Sequence, residues 1–267
     1  MEKSISIQTI SEYLAWVKDC YDHHEGSGAL FFRGQADQNW ELQPSILRDN
    51  RLNEKRLILD YKQVFAVEPD YPERIERILV EMQHHKIPTR LLDWSISPLV
   101  ALFFACAYES NKWGTVYSLN PWSVYKRPLQ KDAPTFHFEI MKECRLLLAL
   151  GQTTEEIQEH CMRKHGYSLN SSELDMPLPI VGRHMDPRVS SQQGCFVIWG
   201  TDYRNLDTFS SYSGNIKVCK IPRKAKAHLL QSLSQLGINS FTIMPDYEGF
   251  LKSIQINGSI YSLYTFN

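Results

Sequence analysis

The chain has 267 residues, 43% of them hydrophobic and 12% aromatic, enough to bury a substantial core in one large domain or two small ones. A formal net charge of −1 gives no global positive field for nucleic acid and leaves only a local patch for such contact. Six scattered cysteines without a Cys-x-x-Cys pair argue against a zinc ribbon or a disulfide framework and suit a cytoplasmic protein. The longest apolar run, Leu99 to Ala107, is too short to span a bilayer, and Met1 to Ser6 lack the apolar stretch of a signal peptide.

In chain order, the spacing predicts an amphipathic helix over 7–23, with Ile10, Tyr13, Leu14 and Val17 on one face, broken at Gly26-Ser27-Gly28. Ala29 to Phe32 reads as a short apolar strand that ends at Arg33-Gly34-Gln35. A loop with a partial strand pattern follows at Trp40 to Pro44, then two amphipathic helices near 53–67 and 71–84. Thr89 to Trp94 reads as an irregular or short extended segment. Ser97 as N-cap and Pro98 at the first helical position open a buried helix over about 98–109. Gly114 to Leu119 is a strand.

Residues 121–187 form an expected helical insertion in a single domain spanning 1–267. It contains a helix from Phe138 to Leu150 and another that opens with the capping box Thr153-x-x-Glu156 and closes at Gly166. Pro177, Pro179 and Pro187 then carry the chain back to strands at Cys195–Trp199 and Asn215–Ile221. A helix follows from Pro222 to Gly237, then a short strand at Ser240–Met244 and a final helix at Asp246–Ile254. Strands and helices mix without a regular βαβ beat, so the expected class is α+β, with a mixed, mostly antiparallel central sheet and flanking helices.

Residues 83–94 gather two histidines, a threonine, an arginine, an aspartate and a tryptophan at the mouth of the buried helix. Free N–H groups and the helix dipole favour an anion at such a place. Arg33, at the end of an apolar strand, needs a partner: either a phosphate or carboxylate of a ligand, or an ion pair with Asp93 or a helix carboxylate. Gly34 would let a ligand approach the backbone. Arg90 and Asp93 read as an internal salt bridge or as ligand-orienting groups, and Trp94 as a core anchor or a stacking platform. One of His84 and His85 caps its helix or lies on the surface, and the other is a candidate for a ribose hydroxyl. Gln192 and Gln193 either fix an amide or ribose or satisfy a turn. Glu248 is either a first-turn carboxylate or a general base that stabilises positive charge. Cys161 and His165 share a helix face, yet no further ligands recur at a suitable spacing, so no metal is expected. There is no G-x-S-x-G elbow, P-loop or G-x-G-x-x-G, and the clustered acids of a two-metal nuclease are missing.

Several ordered motifs together resemble the bacterial and phage FRG domain. They are Phe32-Arg33-Gly34-Gln35, Trp40-x-Leu42-x-Pro44-Ser45-Ile46-x-Arg48, and His85-x-Ile87-Pro88-Thr89-Arg90-Leu91-Leu92-Asp93-Trp94-Ser95 with Pro98-Leu99-Val100-Ala101. Arg188-x-x-x-Gln192-x-Gly194 and the late Gly237-Ile238 with Pro245-Asp246 complete a resemblance over about 25–255. It implies a toxin, effector or defence role, with an antitoxin or phage protein as partner. The order of motifs is also similar to NAD-dependent ADP-ribosyltransferases. That second resemblance implies NAD as cofactor and a protein or nucleic acid as target. Arg33, Gly34, Gln35, His84, His85, Thr89, Arg90, Asp93, Trp94 and Ser95 would line the NAD pocket, and Arg33, Gln192, Gln193 and Glu248 would do the chemistry. Gln192 or Gln193 stands where those enzymes have a catalytic glutamate. The alternative is a non-catalytic module that binds a nucleotide or a phage component.

Overall fold

The computed structural model describes residues 5–24, 28–65, 72–124, 134–181 and 187–257. The strands are β1 (Ile5–Ser6), β2 (Phe31–Gln35), β3 (Leu91–Ser95), β4 (Gly114–Leu119), β5 (Leu178–Ile180), β6 (Gly194–Ile198) and β7 (Ile216–Ile221). The helices up to the middle of the chain are α1 (Ile10–Asp22), α2 (Glu54–Val64), α3 (Pro72–His84), α4 (Pro98–Cys106), α5 (Pro121–Val124), α6 (Pro134–Ala149) and α7 (Thr154–His165). After them come α8 (Ser171–Asp175), α9 (Pro187–Ser191), α10 (Ser210–Ser213), α11 (Lys226–Gln235), α12 (Ser240–Ile243) and α13 (Tyr247–Asn257). No helix among the described residues is long and apolar enough to cross a membrane.

The strands form one sheet in the order β1-β7-β4-β2-β3-β6-β5. Every pairing is antiparallel except β1 with β7. This is the α+β, mostly antiparallel arrangement expected from the irregular element order. Alternation along each strand divides the core between the two faces. Phe32, Val116, Cys219 and Ile221 face α1, α4 and α11. Phe31, Leu119, Leu92, Trp94 and Cys195 face the other way, toward Leu206, Phe209 and Tyr212.

Helix α4 is buried because its sequence is apolar on all sides. Val100, Ala101, Leu102, Phe103, Ala105 and Cys106 are all buried in it. It starts where expected: the Ser97 hydroxyl accepts from the Val100 N–H at 3.5 Å, and Pro98 occupies the first turn. It ends three residues earlier than expected, at Cys106.

Several expectations are corrected. Arg33, Gly34 and Gln35 do not follow the strand but belong to β2, since they continue the ladder with Tyr117, Val116 and Thr115 of β4. Of the two readings of Thr89 to Trp94, irregular or short extended, the extended one holds: Leu91–Ser95 is β3, a central strand that pairs with β6 along its whole length. Ser240–Ile243 is helical, not extended: the Asn239 side chain accepts from the N–H groups of Phe241 and Thr242 and caps it. On α1 the buried face is Tyr13, Trp16, Val17 and Cys20, and Leu14 is exposed. Gly26, Ser27 and Tyr71, at expected helix boundaries, lie outside the described residues.

Within 121–187, α6 packs on α3, and α7 and α8 on α6. The capping box at Thr153 and the left-handed Gly166 bound α7 as expected. The segment also adds β5 to the sheet, beside β6. Pro179 fits there because β5 is an edge strand, where a missing N–H leaves no ladder bond unmade on the open side.

Candidate functional site

The ladder between β2 and β3 is short. Only Phe32 and Ser95 are in register, whereas β2 pairs with β4 from Phe31 to Gln35 and β3 with β6 from Leu91 to Ser95. Past that pair the two strands part, and a cleft of about 280 Å³ opens at the gap. Its walls are Phe32, Arg33 and Gly34 of β2 and Asp93, Trp94 and Ser95 of β3. Val80, Gln83 and His84 of α3, Val100, Ala101 and Phe104 of α4, and Arg188, Val189, Gln192, Gly194 and Phe196 close it, with Lys86 beside them.

Arg33 is the centre of this arrangement. Its Nη1 donates to the Asp93 carbonyl oxygen at 2.5 Å, an acceptor left over where the strands part. Its Nε is buried without a hydrogen-bond partner among the described residues. Burial depresses the guanidinium to about 10, with the nearby Asp93 charge opposing and Arg48 reinforcing the depression. The guanidinium is therefore still charged at neutral pH. The expected ion pair with the Asp93 carboxylate is absent among the described residues; the backbone takes its place. A half-buried cation with one buried, unmet donor is a strong attractor for an anionic ligand group.

Asp93 points to a different neighbour. Its Oδ2 accepts from Gln83 Nε2 at 3.0 Å, and Gln83 also donates to the Leu91 carbonyl at 3.1 Å. Gln83 is in turn held by the Thr89 hydroxyl. Thr89 is thus a buried support for the cleft and not a lining residue. The expected Arg90–Asp93 bridge is also corrected. Residues three apart on an extended chain face opposite sides, and Arg90 instead makes a buried ion pair with Glu54, Nε to Oε2 at 2.6 Å. Trp94 does both things weighed for it: it is buried in the core and lines the cleft, and its Nε1 has no hydrogen-bond partner among the described residues.

Ser95 fixes the opposite rim. Its hydroxyl donates to the Gln192 carbonyl at 2.6 Å, and the Ile96 N–H donates to the Gln193 carbonyl at 3.0 Å. Gln192 consequently lines the cleft. Gln193 is exposed, lies outside the lining and takes the left-handed backbone, φ 47°, that turns the chain into β6. His84 lines the cleft; His85 is exposed outside it. Gln35 is buried beyond the lining, its Nε2 donating to the Glu41 carbonyl at 3.3 Å. Gly34 lines the cleft, but its missing side chain serves α4: a Cβ there would lie 1.8 Å from the Ala101 carbonyl oxygen.

Glu248 also stands outside the lining. It is engaged by Lys86 at 2.8 Å and Arg188 at 3.2 Å, and the Lys86 hydrogen bond above all holds its carboxyl below the usual range. It ties two cationic rim residues together. Asp246, expected to cap the last helix, accepts from the Gly249 N–H at 3.0 Å. Lining residues missed in the sequence include Gln83, Lys86, Phe104, Arg188 and Phe196. Gln83 and Phe104 sit within helical patterns that give no sign of which face turns to a cleft.

Residues 28–113 match the FRG domain family model. Over that segment the chain is similar to FRG domains. The matched segment holds β2, β3 and α4, which make most of the cleft wall, and the FRG residues Phe32, Arg33 and Gly34 are all in the lining. The rest of the lining, from Arg188 to Phe196, follows the matched segment. No curated protein and no solved structure gives a significant match to the chain.

Proposed function

We propose that this FRG-domain protein is a toxin, effector or phage-defence protein whose cleft takes an NAD-type dinucleotide and transfers ADP-ribose to a protein or nucleic acid. The observation that carries this reading is Arg33, a half-buried guanidinium on the cleft wall whose buried Nε lacks a hydrogen-bond partner and which has no carboxylate ion pair among the described residues. A phosphate group satisfies such a donor set. Trp94, Phe104 and Phe196 supply an apolar wall for a flat ring. The cavity volume of about 280 Å³ suits the nicotinamide–ribose half of a dinucleotide, at the small end of ligand pockets.

The chemistry then needs little. The ribose C1′–nitrogen bond breaks, its electron pair leaves with nicotinamide, and C1′ becomes an oxocarbenium ion. A nucleophile of the target closes on C1′ and loses its proton. Asp93 is the one carboxylate among the lining residues, and its charge faces the forming cation. Gln192, in the place of the expected glutamate, contributes hydrogen bonds but no charge.

The test is to incubate the pure chain with NAD and measure free nicotinamide. Release by the parent chain, abolished by Arg33→Ala, supports the reading. Asp93→Asn is expected to lower release about 100-fold or more while leaving the NAD-induced rise in melting temperature in place, because the charge acts on the transition state. A thermal shift with NAD and no nicotinamide release selects a second reading, a nucleotide-binding module. The neutral Gln192 favours it. Neither shift nor release overturns both.

A further inference from the structure

We propose that Glu143, His160 and His165 form a binding site for a divalent transition metal of the zinc class, separate from the cleft. The three side chains come from two helices and converge on one point. Glu143 stands on α6, while His160 and His165 stand five positions apart on the last turns of α7. His160 Nε2 lies 2.7 Å from Glu143 Oε1, and His165 Nε2 lies 3.1 Å from Glu143 Oε2. One ligand atom from each of the three falls within 4.8 Å of the others.

That spacing is close to what a tetrahedral ion demands. Ligand bonds of about 2.0–2.1 Å place neighbouring donor atoms roughly 3.3 Å apart. For an ion to enter, His160 Nε2 needs to withdraw from the carboxylate by about 0.6 Å and His165 Nε2 by about 0.2 Å, within a cluster whose three ligand atoms lie inside 4.8 Å of one another. Two imidazoles and one carboxylate are also the donor set of three-ligand zinc sites, with water in the fourth position. The three side chains are only 13% to 23% exposed, so they are held in place. The carbonyl end of α7 adds negative potential beside the site.

At present the carboxylate is satisfied by a competitor. Lys164 Nζ lies 2.6 Å from Glu143 Oε1, with its side chain 48% exposed and therefore free to swing into solvent. Metal entry requires three changes. The ammonium leaves Oε1, each imidazole carries its proton on Nδ1, and each Nε2 lone pair turns to the ion. For neutral rings this is a tautomer shift through solvent with no net proton release. Cys161, adjacent to His160 in sequence, is not a fourth ligand. Its sulfur lies 3.1 Å from that of Cys144 in the buried core.

The consequence is mechanical. Glu143 and the two histidines already tie α6 to α7, and α6 packs on α3, which carries Gln83 and His84. A bound ion would stiffen that support through direct bonds.

Titrating the metal-free full chain with CoCl₂ is expected to produce visible d–d absorption that saturates at one equivalent and is displaced by ZnCl₂. His160→Gln and His165→Gln should each weaken binding at least about 10-fold, the scale on which metal sites respond to losing supporting groups. Lys164→Met should strengthen it and raise the melting temperature only when ZnCl₂ is present. Absence of one-equivalent Co²⁺ absorption in the parent chain overturns the proposal, as does equal binding by the parent and a folded histidine variant. Should the histidine variants fail to fold, equal Zn²⁺ affinity of the Lys164→Met variant and the parent overturns it.

Discussion

Gly34→Ala is expected to destabilise the fold by about 3 kcal/mol, the upper end of what overpacking costs. For a chain of this size that lowers the melting temperature by roughly 6–12 °C. Three backbone atoms crowd the position. A Cβ would lie 1.8 Å from the Ala101 oxygen, 2.7 Å from the Ala105 nitrogen and 2.8 Å from the Ala101 carbonyl carbon. No flexible side chain can move aside, so α4 must lift off β2. The reason for glycine here is space, because the backbone of Gly34 is not left-handed. Gly214→Ala is the control. Nothing lies within 4 Å of its Cβ and its φ is −91°, so its melting temperature should stay within a degree or two. A melting temperature for Gly34→Ala equal to that of Gly214→Ala would refute this account. A lifted α4 also moves Val100, Ala101 and Phe104, so ligand binding at the cleft should fall along with stability.

What could be read before the structure divides along physical lines. Helix starts were legible because a cap is a local device. Ser97, Thr153 and Asp246 each accept the N–H groups that their positions predict. Gly114 to Leu119 was legible because turn residues bound a short β-rich run. Strand β3 was legible only as one of two readings, irregular or short extended, since its pattern comes from packing on both faces while a charge sits among the apolar residues. Leu92 and Trp94 serve one face, Leu91 and Ser95 the other, and Asp93 looks into the gap. Asn239 capping a four-residue helix went unread because Phe241, Thr242 and Ile243 all favour strands and tertiary context overrode them.

The site divides in the same way. That Arg33, His84, Asp93, Trp94, Ser95 and Gln192 gather at one cleft follows from residue types that need partners, placed at the ends of apolar segments. Which of them touch one another could not be read. Partner choice depends on the parting of β2 from β3, and no local motif encodes a ladder that stops after one pair. The same parting explains why Arg33 meets a carbonyl and not the Asp93 carboxylate.

Removing the Glu54 carboxylate is expected to cost even more than crowding Gly34, about 3–5 kcal/mol for Glu54→Ala. Glu54 opens α2 and is buried. Its two oxygens take the Arg90 backbone N–H at 2.7 Å and the Arg90 Nε at 2.6 Å. Arg90 completes its contacts by donating from Nη1 to the Trp199 carbonyl at 3.3 Å, and the Trp199 N–H returns to the Arg90 carbonyl at 3.1 Å. Truncation leaves both a buried guanidinium and a buried backbone donor unmatched. The loss is therefore larger than the worth of the pair itself. The double variant Glu54→Leu with Arg90→Met separates these quantities. It removes both charges, leaving the backbone N–H of residue 90 without its acceptor and the Trp199 carbonyl without the Nη1 donor, and should recover most of the lost stability in urea titration. A Glu54→Ala cost below about 1 kcal/mol would show that water reaches the guanidinium and that the pair is not sealed. The cleft should register the change too. Arg90 precedes β3 directly, so slack at this anchor shifts Asp93 and Trp94 relative to Arg33. Glu54→Ala is expected to weaken NAD binding even at temperatures where the chain remains folded.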